Sequence, residues 1–353
     1  MQLPTEPIGS LPRPKALQDA VNAAAAGQMS SAELETQFED AVGDTLRRFE
    51  QTGSSVVTDG EMRKQSFATY PVDGLANIRP GGVTIPFEDG HTRQLPLITG
   101  GPFHYATKAS AYLDAARPLT KAQLKQAVIS ASAVSLMYPS DGLPDYPRDE
   151  FIEDLIREAT SEMKECLARG AIVQIDFTEA RLSLKLDPTG GLLNSFVDLN
   201  NRVVDQLTAD ERRRVGVHSC PGGDQDSTHS ADIPYEALLP ALFRMNVGNF
   251  YVELAGESNR PAALRALARQ NIGDRRVFVG VTDPINIEIE TPEEVRDRIV
   301  EALEYIDADH LGTTDDCGFS PFGDDNSTSR DIAFAKIAAR VQGTAMASEE
   351  LGL

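Results

Sequence analysis

The chain has no tryptophan and only three cysteines among its 353 residues. Cys166, Cys220 and Cys317 are odd in number and far apart, which excludes a disulfide framework as the basis of the fold. No stretch approaches the ~18 consecutive apolar residues that a membrane-crossing helix needs. The opening residues, MQLPTEPIGSLPRP, lack the basic-then-apolar order of a secretory signal, so the protein is expected to be cytoplasmic. Positive charge is scarce as well. Lys and Arg number 33 against 54 Asp and Glu, a formal net charge of −21. That sign repels phosphate backbones and anionic lipid headgroups, so neither nucleic acid nor membrane is an expected partner.

What is present suits a packed enzyme-sized core, with 41% hydrophobic residues. No linker composition divides the chain, and residues 1–353 are expected to form a single domain. Short apolar runs recur at 7–10, 56–60, 128–133, 172–177, 215–220, 250–254, 277–283 and 310–317, most of them followed by a helical pattern. Eight β–α units predict an α/β fold, a TIM (β/α)8 barrel. The runs at 83–87 and 93–100, joined through an EDGH turn, predict a β-hairpin insertion near residues 80–105 that covers one mouth. Ser30 with Glu33, and Thr291 with Pro292 and Glu294, carry helix-start signals. Within 149–170, Phe151, Ile152, Leu155, Ile156, Ala159, Met163 and Cys166 form one helical stripe, which makes Cys166 a packing residue.

A barrel gathers its chemistry at the C-terminal ends of its strands. Those ends hold Ser10, Glu61, Asp176, His218, Cys220, Glu253, Asp283 and Cys317. In VGVHSC, His218 and Cys220 are two apart, so a strand aims both at one side. Alone, such a pair is more often packing than a metal site, and any one acid is as readily a helix cap or an arginine partner. The concentration at one mouth favours a site. His218, Cys220, Glu253 and Cys317 make a tetrahedral donor set suited to Zn2+, since two thiolates disfavour magnesium or calcium. A carboxylate ligand can yield to an incoming substrate thiol, whose pKa the metal lowers. Alkylation of a zinc-bound sulfur is the reaction implied.

The segments IGSLPRP (8–14), TDGEMR (58–63), VQID (173–176), HSC (218–220), YVEL (251–254), GVTD (280–283) and DDCG (315–318) occur in the order that marks one family. Through them the chain resembles the catalytic C-terminal barrel of cobalamin-independent methionine synthase, and in particular its single-barrel members. The resemblance implies a zinc-dependent methyltransferase of methionine biosynthesis, similar to 5-methyltetrahydropteroyltriglutamate–homocysteine methyltransferase. His218, Cys220, Glu253 and Cys317 would then be the metal ligands, while Ser10, Glu61 and Asp176 would hold the amino-acid part of homocysteine. The partners expected are a small-molecule thiol and a methyl donor, the donor being left open between a methylated corrinoid protein, a folate and another small methyl compound.

Two positions depart from the family pattern. The family's folate-dependent members have a histidine as general acid where this chain has Ile285, which cannot donate a proton. After Asp176 the chain reads FTEAR where the family usually has an acid directly following, and whether Glu179 substitutes for it is left open by the sequence. Asp283, at a strand end, and His229, in the loop after HSC, are the catalytic candidates that remain. The alternative within the superfamily is a thiol alkyltransferase resembling epoxyalkane:coenzyme M transferase. It would need cations for a sulfonate, and Arg13, Arg63 and Arg181 lie near strand ends. A metal-free barrel resembling uroporphyrinogen decarboxylase would need an arginine-rich mouth, and a non-catalytic binding barrel is the plainest reading.

Overall fold

The computed structural model describes residues 2–353. Seven parallel strands form one curled sheet: β1 (Val56–Val57), β2 (Gln123–Ile129), β3 (Ile172–Asp176), β4 (Val215–Ser219), β5 (Asn249–Val252), β6 (Arg276–Thr282) and β7 (Leu311–Asp315). Each pairs in parallel with the next in chain order. Apart from their first residues, β2 to β7 are buried along their length. Parallel strands covered on both faces read as unbroken apolar runs, which is why the sequence pattern finds them. This is the TIM-barrel class of fold.

The eighth stave differs from the expectation. The run at 7–10 is no ladder strand, and the segment's one bridge joins Thr5 to Thr313. Pro4, Pro7 and Pro12 supply no backbone N–H, so a regular ladder cannot form there. Separate bonds hold the segment in the gap between β7 and β1. Glu6 N donates to Thr313 O (3.0 Å) and Thr313 N to Pro4 O (2.9 Å) on one side. On the other, Thr58 Oγ1 donates to Gly9 O (2.8 Å) and Leu11 N to Gly60 O (3.1 Å). From inside the barrel, Lys125 Nζ bonds Pro7 O at 2.9 Å and Gln174 Nε2 bonds Ile8 O at 3.1 Å. Ile8, Tyr251 and Phe278 fill the interior beside them.

A second boundary also moves. The run placed at 128–133 ends as a strand at Ile129, because Ser130 caps a short helix, Ala131–Ser135, accepting a bond from Ala133 N. Small Ala and Ser residues carry neither period strongly, so the sequence does not separate the two. Other local signals agree with the structure. Ser30 and Thr291 both close capping boxes with Glu33 and Glu294. The helix Arg148–Ala168 buries Cys166 fully, and burial pushes that thiol up, away from reactivity. No helix among the described residues is long and apolar enough to cross a membrane.

Residues Thr84–Pro86 and Thr92–Gln94 form the expected antiparallel hairpin. Glu88 N bonds Thr228 O at 2.9 Å, tying the hairpin to the loop after β4. At the far end of the chain, helix Arg330–Glu350 carries Arg340, whose Nε donates to Asp315 Oδ1 at 2.9 Å. Arg340 also bonds Thr5 Oγ1, so one buried cation fastens the closing segment to β7. Removing one partner of a buried pair leaves the other charge uncompensated. Arg340→Ala is therefore expected to lower the unfolding free energy by about 3–5 kcal/mol in urea titrations. A loss below about 1 kcal/mol would show that this pair does not hold the closure.

Candidate active site

His218, in β4, and Cys220, just past its end, face Cys317 from the loop after β7. Their ligand atoms lie within 4.8 Å of one another, and all three residues are buried. The two sulfurs are 3.1 Å apart, and neither cysteine is in a disulfide. Among the described residues, neither ring nitrogen of His218 finds a hydrogen-bond partner. A buried polar atom left without a partner costs on the order of 1–3 kcal/mol, so an imidazole with two such atoms points to a ligand. One imidazole and two adjacent thiols are the donor chemistry that zinc prefers, and the residues fit such an ion. One thiol donates to the other. This bond, with burial, pushes Cys220 up, and it draws Cys317 down.

Glu253 lies just past β5 but outside that three-residue cluster. Its Oε2 accepts a bond from Arg181 Nη1 at 2.8 Å. Burial, with Asp316 beside it, raises its carboxyl well above the usual range. The loop that carries Glu253 is fixed by Asp316, the neighbour of Cys317. Asp316 accepts the N–H groups of Leu254 and Ala255 (both 2.9 Å) and of Gly256 (2.5 Å). Burial and then Asp283 push Asp316 up to about 8. A Cβ at Gly280 would lie 1.7 Å from Asp316 Oδ1, so only glycine admits this carboxylate between β6 and β7. The role of Asp316 was not foreseen from sequence. Its only signal there is a doubled acid directly before Cys317.

A cavity of about 500 Å³ opens in front of the cluster, lined by Ser10, Glu61, Asp176, His218, His229 and Cys317 among others. Cys220, Glu253 and Asp283 are not part of that lining. Glu61 adopts positive φ (59°) right after Gly60. Its Oε1 accepts from Lys64 Nζ at 2.8 Å, while its Oε2 is buried with no partner. Asp176 accepts from Gln174 Nε2 at 2.7 Å, and burial raises it to about 6. Two adjacent carboxyl groups with an unused oxygen make a cation-accepting wall. Ser10 also lines the cavity, and a Cβ on Gly318 would lie 2.0 Å from Ser10 Oγ.

The remaining candidates lie elsewhere. Asp283 turns its carboxylate back to Ile285 N (3.0 Å) and is raised by burial. Glu179 binds Ser130 Oγ at 2.6 Å and Ser132 Oγ, with burial lifting it to about 7, and does not line the cavity. Arg13 bonds the carbonyls of Leu11, Ser320 and Lys64, and Arg63 pairs with Glu35. With Arg181 engaged by Glu253, none of the three arginines considered for a sulfonate faces the cavity. The cavity's basic side chain among the described residues is Arg93, from the hairpin, which is already paired with Asp224 and Asp324.

The site is thus a metal-type donor cluster at the C-terminal mouth of an α/β barrel, next to a small-molecule cavity. Residues 3–340 match the family described as cobalamin-independent synthase, catalytic domain. The chain belongs to that family, and it is a methyltransferase. It is 27% identical over 350 residues to a methionine synthase of Sulfurisphaera tokodaii, covering 99% of this chain and 94% of the relative. A methionine synthase of Saccharolobus solfataricus is 26% identical over 352 residues, covering 99% and 96%. In fold, the chain resembles a B12-independent methionine synthase from Shewanella sp. W3-18-1 solved with selenomethionine, at TM-score 0.77 and 22% identity over 99% of both chains.

His229 reaches the cavity from the loop after β4, with its Nδ1 3.0 Å from Ser230 Oγ and its ring edge-on to Phe87. Burial, then Lys185 and Arg181, hold it at about 4, so it is uncharged near neutrality. The unfolded chain protonates first as pH falls. Stability from this residue is therefore fully present above its ordinary pKa of ~6.5 and is lost on descent towards 4. Between pH 7 and pH 5 wild type should lose about 2 kcal/mol more unfolding free energy than His229→Gln. Parallel curves for the two proteins in urea would rule this out.

Proposed function

We propose that the protein is a zinc-dependent methyltransferase that converts homocysteine to methionine. The observation that carries this reading is the meeting of His218, Cys220 and Cys317 beside a cavity whose lining also holds Glu61, with its unpartnered carboxylate oxygen. Bound there, zinc would supply Lewis acidity that keeps a coordinating substrate thiol deprotonated at neutral pH. The chain's own residues do the rest. Cys317 faces the cavity, so a substrate sulfur would arrive on that side of the cluster. Glu61 Oε2 and Asp176 would receive the ammonium group by charge-assisted hydrogen bonds. Ser10 would take the substrate carboxylate. A C–S bond then forms as the donor's bond to its methyl group breaks, and the electron pair stays with the donor. In a folate-dependent reaction the leaving pterin takes up a proton. Ile285 cannot give it, and His229, although it lines the cavity, is held uncharged near neutrality and carries no such proton.

The test combines metal content with two variants. About one zinc per chain is expected in wild type, and Cys317→Ser should weaken zinc binding and abolish turnover. A fully active, zinc-replete Cys317→Ser protein would refute the ligand assignment. Glu61→Gln should raise the KM for homocysteine roughly ten-fold, equivalent to ~1.4 kcal/mol of lost ammonium contact, with a smaller effect on kcat. Unchanged homocysteine kinetics would remove the amino-acid site.

A further inference from the structure

Arg181 is a buried cation with no part in binding the thiol or the methyl donor as described above, yet it touches a proposed metal ligand. It lies in the helix Glu179–Leu186, and its side chain is 1% exposed. Its Nη1 donates to Glu253 Oε2 at 2.8 Å and to Glu257 Oε1 at 2.6 Å. Its Nη2 is anchored on the carbonyls of Ala231 (3.2 Å) and Ile233, and its guanidinium lies 5.1 Å from the Tyr235 ring centroid. Those contacts fix the head group whether or not Glu253 is there. Glu253, by contrast, has few attractive neighbours. A Cβ on Gly256 would lie 3.3 Å from both Glu253 Oε1 and Asp316 Oδ2 and 3.6 Å from Asp283, so that oxygen sits among carboxylates.

We propose that Arg181 is a positioning residue that holds Glu253 away from the metal cluster, so that a substrate thiol can take the fourth ligand position. The inference rests on the zinc reading above. A carboxylate drawn to a fixed guanidinium is a weaker metal ligand, and the two attractions compete for one group. By linkage, whatever strengthens the Arg181-bound position of Glu253 must weaken zinc binding without thiol and strengthen thiol binding to the zinc-loaded protein. Glu257 shares the same Nη1 and thereby tempers that pull.

The competition gives two variants opposite signs, which a loss of packing would not. Without thiol, Arg181→Gln should bind zinc roughly ten-fold more tightly, while its zinc-loaded form binds homocysteine roughly ten-fold more weakly. Glu257→Gln should do the reverse by several-fold, with zinc held more weakly and homocysteine more tightly. Zinc affinity would be read by chelator competition and thiol affinity by calorimetry, neither of which depends on turnover. Opposite shifts in the two constants, reversed between the variants, would establish the role. If both constants fall together in Arg181→Gln and Glu257→Gln changes neither, Arg181 is only structural. Should Arg181→Gln not fold, Glu257→Gln decides alone, and unchanged or same-direction constants overturn the inference. A wild type that binds no zinc would overturn this and the proposed function together, whereas zinc binding with uncorrelated variants overturns this alone.

Discussion

The site depends on one carboxylate, that of Asp316, which receives three consecutive backbone N–H groups from Leu254, Ala255 and Gly256. Backbone donors cannot rotate away as side chains can, so this contact fixes the loop after β5 against the loop after β7. Glu253 is the residue before that run, and Cys317 follows Asp316 directly. Asp316 N in turn bonds Thr282 O at 2.9 Å, which ties in β6. Three strand ends are held in one arrangement before any ligand atom is considered, which is the preorganised support that donor sets require.

Around this anchor the barrel is short of positive charge. The fully buried cations are each engaged: Lys64 with Glu61, Lys125 with Glu6 and Pro7 O, Arg181 with Glu253 and Glu257, Lys336 with Glu290, Arg340 with Asp315. Acidic groups outnumber them at the mouth, and burial lifts Asp176, Glu253, Asp283 and Asp316 above the usual carboxylate range. An interior of that kind is completed by a positive group from outside. A metal dication at the thiols and a substrate ammonium at Glu61, as proposed, would both answer the imbalance, whereas a sulfonate would worsen it.

The β–α rhythm was legible because strands buried on both faces leave apolar runs, and His218 with Cys220 because strand spacing puts them on one side. The closing stave was less so. Its prolines keep an apolar run from forming a ladder, and its bonds to Lys125 and Gln174 come from residues more than a hundred positions away. Ser130 was ambiguous for a local reason, since a serine reads alike in a strand and as a helix cap. The partner of Glu253 was invisible. Arg181 is 72 residues distant and drew attention only as a possible anion receptor. Arg93 was missed because an insertion carries no barrel period, and only the folded chain brings it to the cavity.

The hairpin over the mouth is fastened by Arg93 to Asp224 and Asp324 and by Glu88 N to Thr228 O. Asp224 lies four residues past Cys220, and Asp324 lies seven past Cys317. The doorway and the two thiols therefore share their hinges. Molecules passing in or out must disturb the very loops that set the sulfur positions, so traffic through the entrance and the shape of the donor cluster are mechanically one variable.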